Sequence, residues 1–494
     1  MRSTAVVGVM ALVSRILGFV RDMVIARYFG ADAATDAFFV AFRIPNFLRR
    51  LFAEGSFAQA FVPMLSEQRE NNDREGLRRF LDRASGSLAL IVLLASLAGM
   101  VAAPLLILVF APGFWGQEAQ FDSSSAMLRI TFPYLFFVTL TAFAGGILNA
   151  HGRFAIPAFT PALLNVSMIG AALWLAPRLP QPVTGLAWGV LLAGFAQLAL
   201  QIPALAAAGL LPRPRLGLGD PDVRRLLKRM APAIFGVSVT QVNLLVDTLM
   251  ASFLVSGSVS WLYYSDRLVE FPLGVFGVAL GVAILPHLSK SHARQDAAGF
   301  SHALDWGLRW VLLIGLPATV GLSTLAEPLM STLFQYDAFG SRDVEMGGRS
   351  LMTYSTGLVG FIAVKILASG FNARHDLATP VRHGVYAMIA NAVLGASLVY
   401  PLSRWGWGHA ALALSTALAA LLNAGLLLAG LLKEGVFRPR PGWGGYLLRL
   451  LAGNVAMGFL LVHCTAGLPW AAWSSHGRVA QLTLWIALGG AAYC

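Results

Sequence analysis

Two arginines and an aspartate lie within an otherwise apolar segment near the N-terminus: Arg15, Arg21 and Asp22. An ionisable group at the centre of a bilayer costs about 2.5–3.5 kcal/mol on insertion scales. Guanidinium groups stay charged and bind phosphate oxygens through two parallel hydrogen bonds. If this segment spans a membrane, these residues predict a polar path for an anionic group.

Charged and polar residues recur at helical spacing in two further apolar segments. In the segment 33–55, Asp36, Arg43, Arg50 and Glu54 follow one another at spacings of 7, 7 and 4 residues, and Asn46 and Arg49 flank them. On a helix that turns 100° per residue, such a set lies on one face.

The segment 259–287 repeats this pattern with Ser260, Arg267 and Glu270, and Asp266 is adjacent. Pro272 is expected to interrupt the helix, because proline has no backbone N–H to donate.

Two interpretations of these charges are open. They could pair internally, Arg21 with Asp22 or Asp36, Arg50 with Glu54, and Arg267 with Glu270, since buried ion pairs can fix helix register. Alternatively, the arginines bind an anion and the acids orient them when the site is empty. Three helices from both halves of the chain carry a balance or an excess of arginine, which favours the anion site.

The composition indicates a membrane protein. The chain has 494 residues, of which 57% are hydrophobic and 12% charged, with a mean hydropathy of +0.68; soluble domains carry about 25% charged residues. The apolar runs are continuous rather than alternating, which predicts helices and not a barrel. Cys464 and Cys494 offer neither a disulfide framework nor metal-ligand spacing.

We therefore predict an all-α polytopic membrane protein with about fourteen transmembrane helices. The expected spans lie near residues 5–28, 33–55, 82–110, 125–148, 156–176, 183–209, 226–254, 259–287, 304–335, 346–370, 380–401, 407–432, 443–466 and 479–494. The last is shorter than the roughly twenty residues that a span needs, so it is expected to be partial or truncated.

The net charge of +12 reflects topology rather than nucleic-acid binding. Five arginines lie between residues 69 and 83, and six basic residues lie between 213 and 229. These connections and the other basic ones alternate with connections poor in basic residues. The positive-inside rule then predicts that the N-terminus and the basic connections face the cytoplasm.

A faint internal repeat predicts two lobes. Ala155-Ile156-Pro157 followed by Gly185-Leu186-Ala187 resembles Ala378-Thr379-Pro380 followed by Gly408-His409-Ala410. We predict six-helix lobes over residues 1–215 and 216–435, related by pseudo-two-fold symmetry, and two C-terminal helices in 436–494. Chance matching in an apolar chain is the alternative.

Long motifs resemble a known family. The pattern S-R-x-x-G-x-x-R-D over residues 14–22, the run from Ala34 to Pro63 and the stretch from Ser256 to Pro272 are similar to the MurJ (MviN-type) lipid II flippases. The resemblance implies the fold of the multidrug/oligosaccharidyl-lipid/polysaccharide (MOP) exporter superfamily. It also implies transport of lipid II, an undecaprenyl-pyrophosphate-linked disaccharide pentapeptide, to the outer leaflet for peptidoglycan synthesis.

The resemblance also assigns residues to roles. It implies that Arg15, Arg21, Arg49 and Arg267 line a central cavity and bind the pyrophosphate. The cavity or gating set combines positions implied by the family with polar residues on the same helix faces: Asp22, Asp36, Asn46, Arg50, Glu54, Ser260, Asp266 and Glu270. The expected mechanism is alternating access by rocking of the two lobes.

The sequence suggests an energy source other than ATP. It contains no G-x-x-x-x-G-K-[ST] phosphate-binding loop. Moving an anion outward is downhill in a membrane potential that is negative inside, by about 2.3 kcal/mol per charge per 100 mV. Asp247, Asn372 and Asp376 are candidate ligands for a sodium ion, as in some family members; helix capping by Asn372 and Asp376 is the alternative.

Three function classes are weighed: a lipid II flippase, a related exporter of another substrate, and a membrane scaffold or enzyme. The arginine excess argues against a drug cation as substrate, and another polyprenyl-linked anionic lipid is the leading alternative. We find no catalytic constellation and expect a transporter, not an enzyme. The expected partners are lipid II and membrane lipids, without nucleic acid, and the expected state is a monomer.

Overall fold

The computed structural model describes residues 2–51, 57–71 and 74–494. In this part of the chain every regular element is a helix, which confirms the all-α fold. Packing divides the chain into two compact units, Met1–Phe253 and Leu254–Cys494.

In the described part of the first unit there are ten α-helices. They are α1 (Arg2–Phe29), α2 (Ala33–Arg49), α3 (Phe57–Asn71), α4 (Arg74–Val101), α5 (Ala103–Phe110), α6 (Glu118–Thr131), α7 (Tyr134–Ala150), α8 (Ala155–Gly170), α9 (Thr184–Ala207) and α10 (Pro221–Ala251). Helix α8 packs against both α1 and α9, α7 packs against α9, and α2 packs against α6. A π-helical turn, Ala171–Leu175, extends α8.

Local sequence explains where helices of this unit begin. The carboxylate of Asp32 accepts a hydrogen bond from the backbone N–H of Thr35 at 2.8 Å and caps α2. Asp220 caps α10 in the same way, and Pro221 occupies the first helical position, where its missing N–H costs nothing.

The connection between α9 and α10 lies along α4. The backbone N–H groups of Arg213 and Arg215 donate to the Oδ1 and the carbonyl oxygen of Asp82, and the N–H of Gly217 donates to Ser87 Oγ at 3.1 Å. A Cβ at Gly86 would lie 2.3 Å from the Arg215 carbonyl oxygen. Glycine at this position therefore permits the close approach.

The second unit contains the other ten α-helices of the described chain. They are α11 (Ser258–Pro272), α12 (Val278–Ala293), α13 (Ala297–Thr324), α14 (Ala326–Phe334), α15 (Ser341–Ser355), α16 (Leu358–Asn372), α17 (Ala378–Ser403), α18 (Gly408–Lys433), α19 (Trp443–Thr465) and α20 (Ser475–Tyr493). Helix α18 packs against α15, α16 and α17, while α19 packs against α13 and α20. Pro272 ends α11, and a π-helical segment, Leu273–Gly277, continues directly into α12. The hydrogen-bonding pattern changes here, but Ser258–Ala293 remains one helical stretch, so the expected interruption is not found.

Ten stretches of the described chain are long and apolar enough to cross a membrane, and they coincide with ten of the predicted spans. The other four predicted spans fall on α1, α2, α10 and α20, and residues 52–55 of the second lie outside the described residues. Helices α1, α2 and α10 carry the charges discussed above. The protein is a polytopic membrane protein, and the total of fourteen spans stays a prediction.

Within the second unit, Arg478 links the C-terminal segment to the end of α14. Its guanidinium donates to the carbonyl oxygens of Ser331 and Gln335, at 3.0 and 2.9 Å, and to two carbonyls of its own segment. Helix α20 begins at Ser475, four residues before the predicted span. The predicted lobe boundaries at 215/216 and 435/436 are defined by a repeat rather than by packing, and they stay predictions.

Candidate functional site

Helices α1 and α8 are joined by a buried polar cluster. Arg21 donates through Nε and Nη2 to Asp22 Oδ1, at 2.9 and 2.6 Å, and through Nη1 to Asn165 Oδ1 at 3.0 Å. The Nδ2 of Asn165 donates in turn to the carbonyl oxygen of Ser14 at 2.9 Å. A guanidinium, a carboxylate and an amide on two helices thus hold one another in fixed orientations.

Both charged side chains of this cluster are buried. Arg21 is 5% exposed and Asp22 is 1% exposed, so both charges are removed from solvent and compensate each other. The internal pairing of Arg21 with Asp22, one of the two interpretations from sequence, is therefore present. Arg15, on the same helix, is exposed.

A cavity of about 470 Å³ opens beside this cluster, within the first unit. Among the described residues, its lining combines one cation with neutral polar and apolar side chains from α1, α2, α3, α7, α8 and α9: Ser14, Arg49, Val62, Tyr134, Val138, Thr141, Ala142, Gly145, Gly146, Asn149, Pro157, Thr160, Pro161, Leu164, Asn165, Gln197 and Gln201. Its size is within the range of small-molecule sites.

Arg49 contributes the positive charge of the cavity. Its Nε donates to Asn46 Oδ1 at 2.9 Å, one helical turn earlier on α2, and its side chain is half-buried. Asn46 thereby orients the guanidinium. The structure thus brings Arg49 and, through Asn165, Arg21 to the same cavity.

The other predicted residues of α2 lie nearby along the chain. Asp36 is fully buried, and Arg50 closes the helix, its backbone N–H donating to the carbonyls of Asn46 and Phe47. Arg43, which the predicted site omits, donates from Nη1 to Thr248 Oγ1 on α10 at 2.6 Å. Glu54 lies outside the described residues.

The predicted residues of the second unit form a local cluster on α11. Arg267 Nη1 donates to Glu270 Oε2 at 2.6 Å, Nη2 donates to the Tyr263 hydroxyl at 3.3 Å, and the guanidinium lies 4.8 Å from the centre of that tyrosine ring. Ser260 is fully buried and Asp266 is half-buried. The expected pairing of Arg267 with Glu270 is therefore present, and the π-helical segment follows directly.

The candidate sodium ligands lie on separate elements. Asp247 is on α10, Asn372 ends α16, and Asp376 follows it. The carboxylate of Asp376 accepts from the Thr379 N–H at 3.0 Å, and this hydrogen bond lowers the pKa of Asp376. Asp376 therefore caps the start of α17, and among the described residues no three His, Cys, Asp or Glu side chains group as metal ligands. The sodium site stays a prediction.

Sequence reasoning missed the neutral half of the cavity. Asn165, Gln197 and Gln201 are uncharged, and attention to ionisable residues passed over them. The available signal was an amide side chain inside an apolar span, which is costly in a membrane unless it has a partner.

The cavity offers hydrogen-bond donors, one cation and several carbonyl acceptors, an arrangement that suits binding of a polar headgroup. Together with the fold, it defines the class of protein. The structure is similar to an inward-facing MATE family transporter of the MOP superfamily, with a TM-score of 0.69 and 13% identity, covering 86% of this chain and 98% of that one. At this identity the likeness shows the fold alone, and the protein has the fold of a MOP-superfamily transporter.

Sequence comparison assigns the chain to one family within this fold. The sequence model described as "Lipid II flippase MurJ" matches residues 25–478, and the chain belongs to the MurJ family. The expectations of this family, and of a transporter rather than an enzyme, are confirmed.

Individual relatives agree with the family assignment. "Probable lipid II flippase MurJ" of Vibrio cholerae is 46% identical, covering 100% of this chain and 94% of its own length. "Lipid II flippase MurJ" of Burkholderia cenocepacia is 41% identical, covering 100% and 96%. A structure of "Lipid II flippase MurJ, inward closed conformation" superposes with a TM-score of 0.80 at 25% identity, over 99% of this chain and 96% of that one.

Proposed function

We propose that this protein moves lipid II from the cytoplasmic to the periplasmic leaflet of the bacterial inner membrane. The observation that carries the proposal is the cavity of the first unit, in which Arg49 lies among neutral polar side chains in a chain of the MurJ family. The polyprenyl tail is stable in lipid, whereas the pyrophosphate and sugars need a polar path. A cavity with this lining provides one.

In this proposal the arginines bind the pyrophosphate. Arg49 is half-buried and oriented by Asn46, so a bidentate contact to phosphate oxygens needs little rearrangement. Arg21 is held by Asp22 and Asn165, and an arriving phosphate would exchange with one of these partners. Arg15 and Arg267 complete the cationic set implied by the family.

The transport cycle is alternating access by a monomer, with the N-terminus in the cytoplasm. The basic residues between 69 and 83 and between 213 and 229 support this orientation. The membrane potential, about 2.3 kcal/mol per charge per 100 mV, favours outward movement of an anion. A sodium ion at Asp247, Asn372 and Asp376 is the second candidate driving force.

The test uses purified protein in sealed vesicles that contain lipid II. We expect the protein to make lipid II of the inner leaflet accessible to an impermeant lipid II-cleaving toxin. Arg49→Ala should lose this activity, and Arg49→Lys, which keeps the charge without the bidentate geometry, should retain part of it. Transport of other polyprenyl-pyrophosphate sugars in preference to lipid II would assign the protein to a different lipid, and wild-type activity in Arg49→Ala would contradict the cavity assignment.

A further inference from the structure

Two glutamines on one face of α9 contribute to the cavity wall, and no described residue donates a hydrogen bond to their side-chain carbonyl oxygens. Gln197 is 3% exposed and Gln201 is 1% exposed, and both contribute to the cavity wall. The Oε1 atom of each is buried and accepts no hydrogen bond from the described residues. One turn of helix separates the two residues, so their side chains lie one above the other.

The orientation of both amides follows from Thr160 on α8. The Thr160 hydroxyl donates to the Ile156 carbonyl at 2.8 Å, so it can only accept from Gln201 Nε2, at 3.1 Å. The Thr160 carbonyl can only accept, and Gln197 Nε2 donates to it at 3.2 Å. Both nitrogens are therefore held on α8, and both oxygens remain as acceptors.

Buried hydrogen-bond acceptors without a donor need an explanation. A buried carbonyl oxygen without a donor is destabilising, and native proteins rarely retain one without a role. Two unsatisfied carbonyl oxygens in the wall of one cavity indicate a ligand that carries hydrogen-bond donors. Among the described residues the lining contains no carboxylate, so this part of the wall is a poor match for a cation and a good match for neutral hydroxyl and amide N–H groups.

We propose that Gln197 and Gln201 form a subsite for the carbohydrate part of the transported headgroup and accept hydrogen bonds from its hydroxyl and amide N–H groups. The proposal rests on the proposed function and deepens it, because it divides the cavity into two tasks. Arg49 binds the charged phosphates, and the two glutamines bind the neutral sugars. Such a division would distinguish a glycosylated lipid from the bare polyprenyl pyrophosphate.

The experiment compares the binding of two ligands to the purified full-length protein. Lipid II carries the sugars, and undecaprenyl pyrophosphate carries the same phosphates without them. Gln197→Met and Gln201→Met remove each acceptor at similar side-chain length. We expect each to weaken lipid II binding about three- to tenfold, the range of one hydrogen bond, and to leave undecaprenyl pyrophosphate binding within about twofold.

Two further variants isolate the cavity. Gln120 on α6 is buried, its amide has no described partner, and it does not line the cavity, so Gln120→Met is the matched control and should change neither affinity. Gly145→Ala leaves the glutamines intact and places a methyl group 3.6 Å from Gln201 Oε1, in ordinary contact with Pro157. It should weaken lipid II binding selectively even if a glutamine variant fails to fold.

The outcomes separate the subsite from the function. If the glutamine and Gly145 variants bind lipid II as wild type does, or lose both ligands equally, the subsite is wrong and the glutamines are structural or hold water. If wild-type protein binds lipid II no more tightly than undecaprenyl pyrophosphate, the subsite is also wrong while the pyrophosphate site stands. If wild-type protein binds neither ligand, the proposed function itself fails.

Discussion

Asn165 on α8 accepts a hydrogen bond from Nη1 of Arg21 on α1 at 3.0 Å. Because Asn165 also lines the cavity, it connects the buried Arg21–Asp22 pair to the cavity wall. Asn165 also donates to the Ser14 carbonyl, so one amide fixes α1 at two levels. It is a positioning residue for Arg21.

Replacing Asn165 tests that relationship. Asn165→Leu removes one acceptor from a buried guanidinium and one donor from the Ser14 carbonyl, and it should lower the free energy of unfolding by about 1–3 kcal/mol. Transport should fall with it, because Arg21 loses its fixed orientation. Thermal unfolding in detergent and vesicle transport measure the two effects.

The matched control is Asn454→Leu. Asn454 is also a buried amide in a helix, and its described hydrogen bond is to Leu450 of the same helix. The Asn454→Leu variant should retain transport. Equal loss of transport in both variants would mean that Asn165 acts only through general stability.

Removing Asp22 should separate stability from transport. Asp22→Ala takes away the carboxylate that compensates Arg21 and should destabilise the protein by about 3–5 kcal/mol, the typical cost of breaking a buried pair. The double variant Arg21→Met with Asp22→Leu should be more stable than Asp22→Ala, because it leaves no isolated charge. Neither should transport lipid II, since the cation that binds phosphate is mispositioned or missing.

A double variant that is no more stable than Asp22→Ala would contradict the energetic argument. Transport by the double variant would contradict a role of Arg21 in substrate binding. Calorimetry and the vesicle assay, applied to the same preparations, distinguish these results.

The charged helices illustrate what the sequence could predict. On a helix that turns 100° per residue, Ser14, Arg21 and Asp22 lie near one stripe of α1, and the structure finds all three in or beside the α1–α8 contact. The same periodicity placed Arg15 with them, yet Arg15 is exposed. Burial along a stripe depends on where the neighbouring helix packs, and a periodic pattern does not contain that information.

The partners of these residues were harder to predict. Asn165 is 144 positions from Arg21, and its role depends on the packing of α8 against α1. The side-chain orientations of Gln197 and Gln201 depend on hydrogen bonds to Thr160, which lies on a different helix. Local pairs such as Arg267 with Glu270 were predictable, because spacing along one helix determines them.

Acid should weaken the attachment of α10. Burial raises the pKa of Asp220, but hydrogen bonds from Arg83 and from the N–H groups of Val223 and Asp222 outweigh it, so the pKa lies below its usual 3.8. The stabilisation is therefore complete above the unfolded-state pKa and is lost as the pH falls through the folded-state value.

Asp220→Asn keeps an effective N-cap and loses the charge. We expect the melting temperature of this variant to fall less steeply than that of wild type on acidification below about pH 4. Asp376 contributes in the same direction in both proteins, so only the difference reports on Asp220. Parallel melting curves across this pH range would contradict the prediction.

Arg478 should determine the stability of the C-terminal segment. Its guanidinium reaches four carbonyl oxygens, including those of Ser331 and Gln335, and a lysine ammonium cannot reproduce that planar arrangement. Arg478→Lys should increase hydrogen exchange in α20 at least several-fold, because each lost charged hydrogen bond contributes about 1.5–3 kcal/mol. Arg449→Lys, at an exposed position of α19, is the control, and equal exchange in both variants would refute the assignment.

The most direct measurement follows lipid II itself in cells depleted of this protein. A lipid II-cleaving toxin added from outside reports how much of the lipid is in the outer leaflet. We predict that outer-leaflet lipid II falls on depletion, returns with the wild-type protein, and does not return with Arg49→Ala or Arg21→Ala, although both variants insert normally. Undiminished cleavage after depletion, or full rescue by either variant, would contradict transport of lipid II through the arginine-containing cavity.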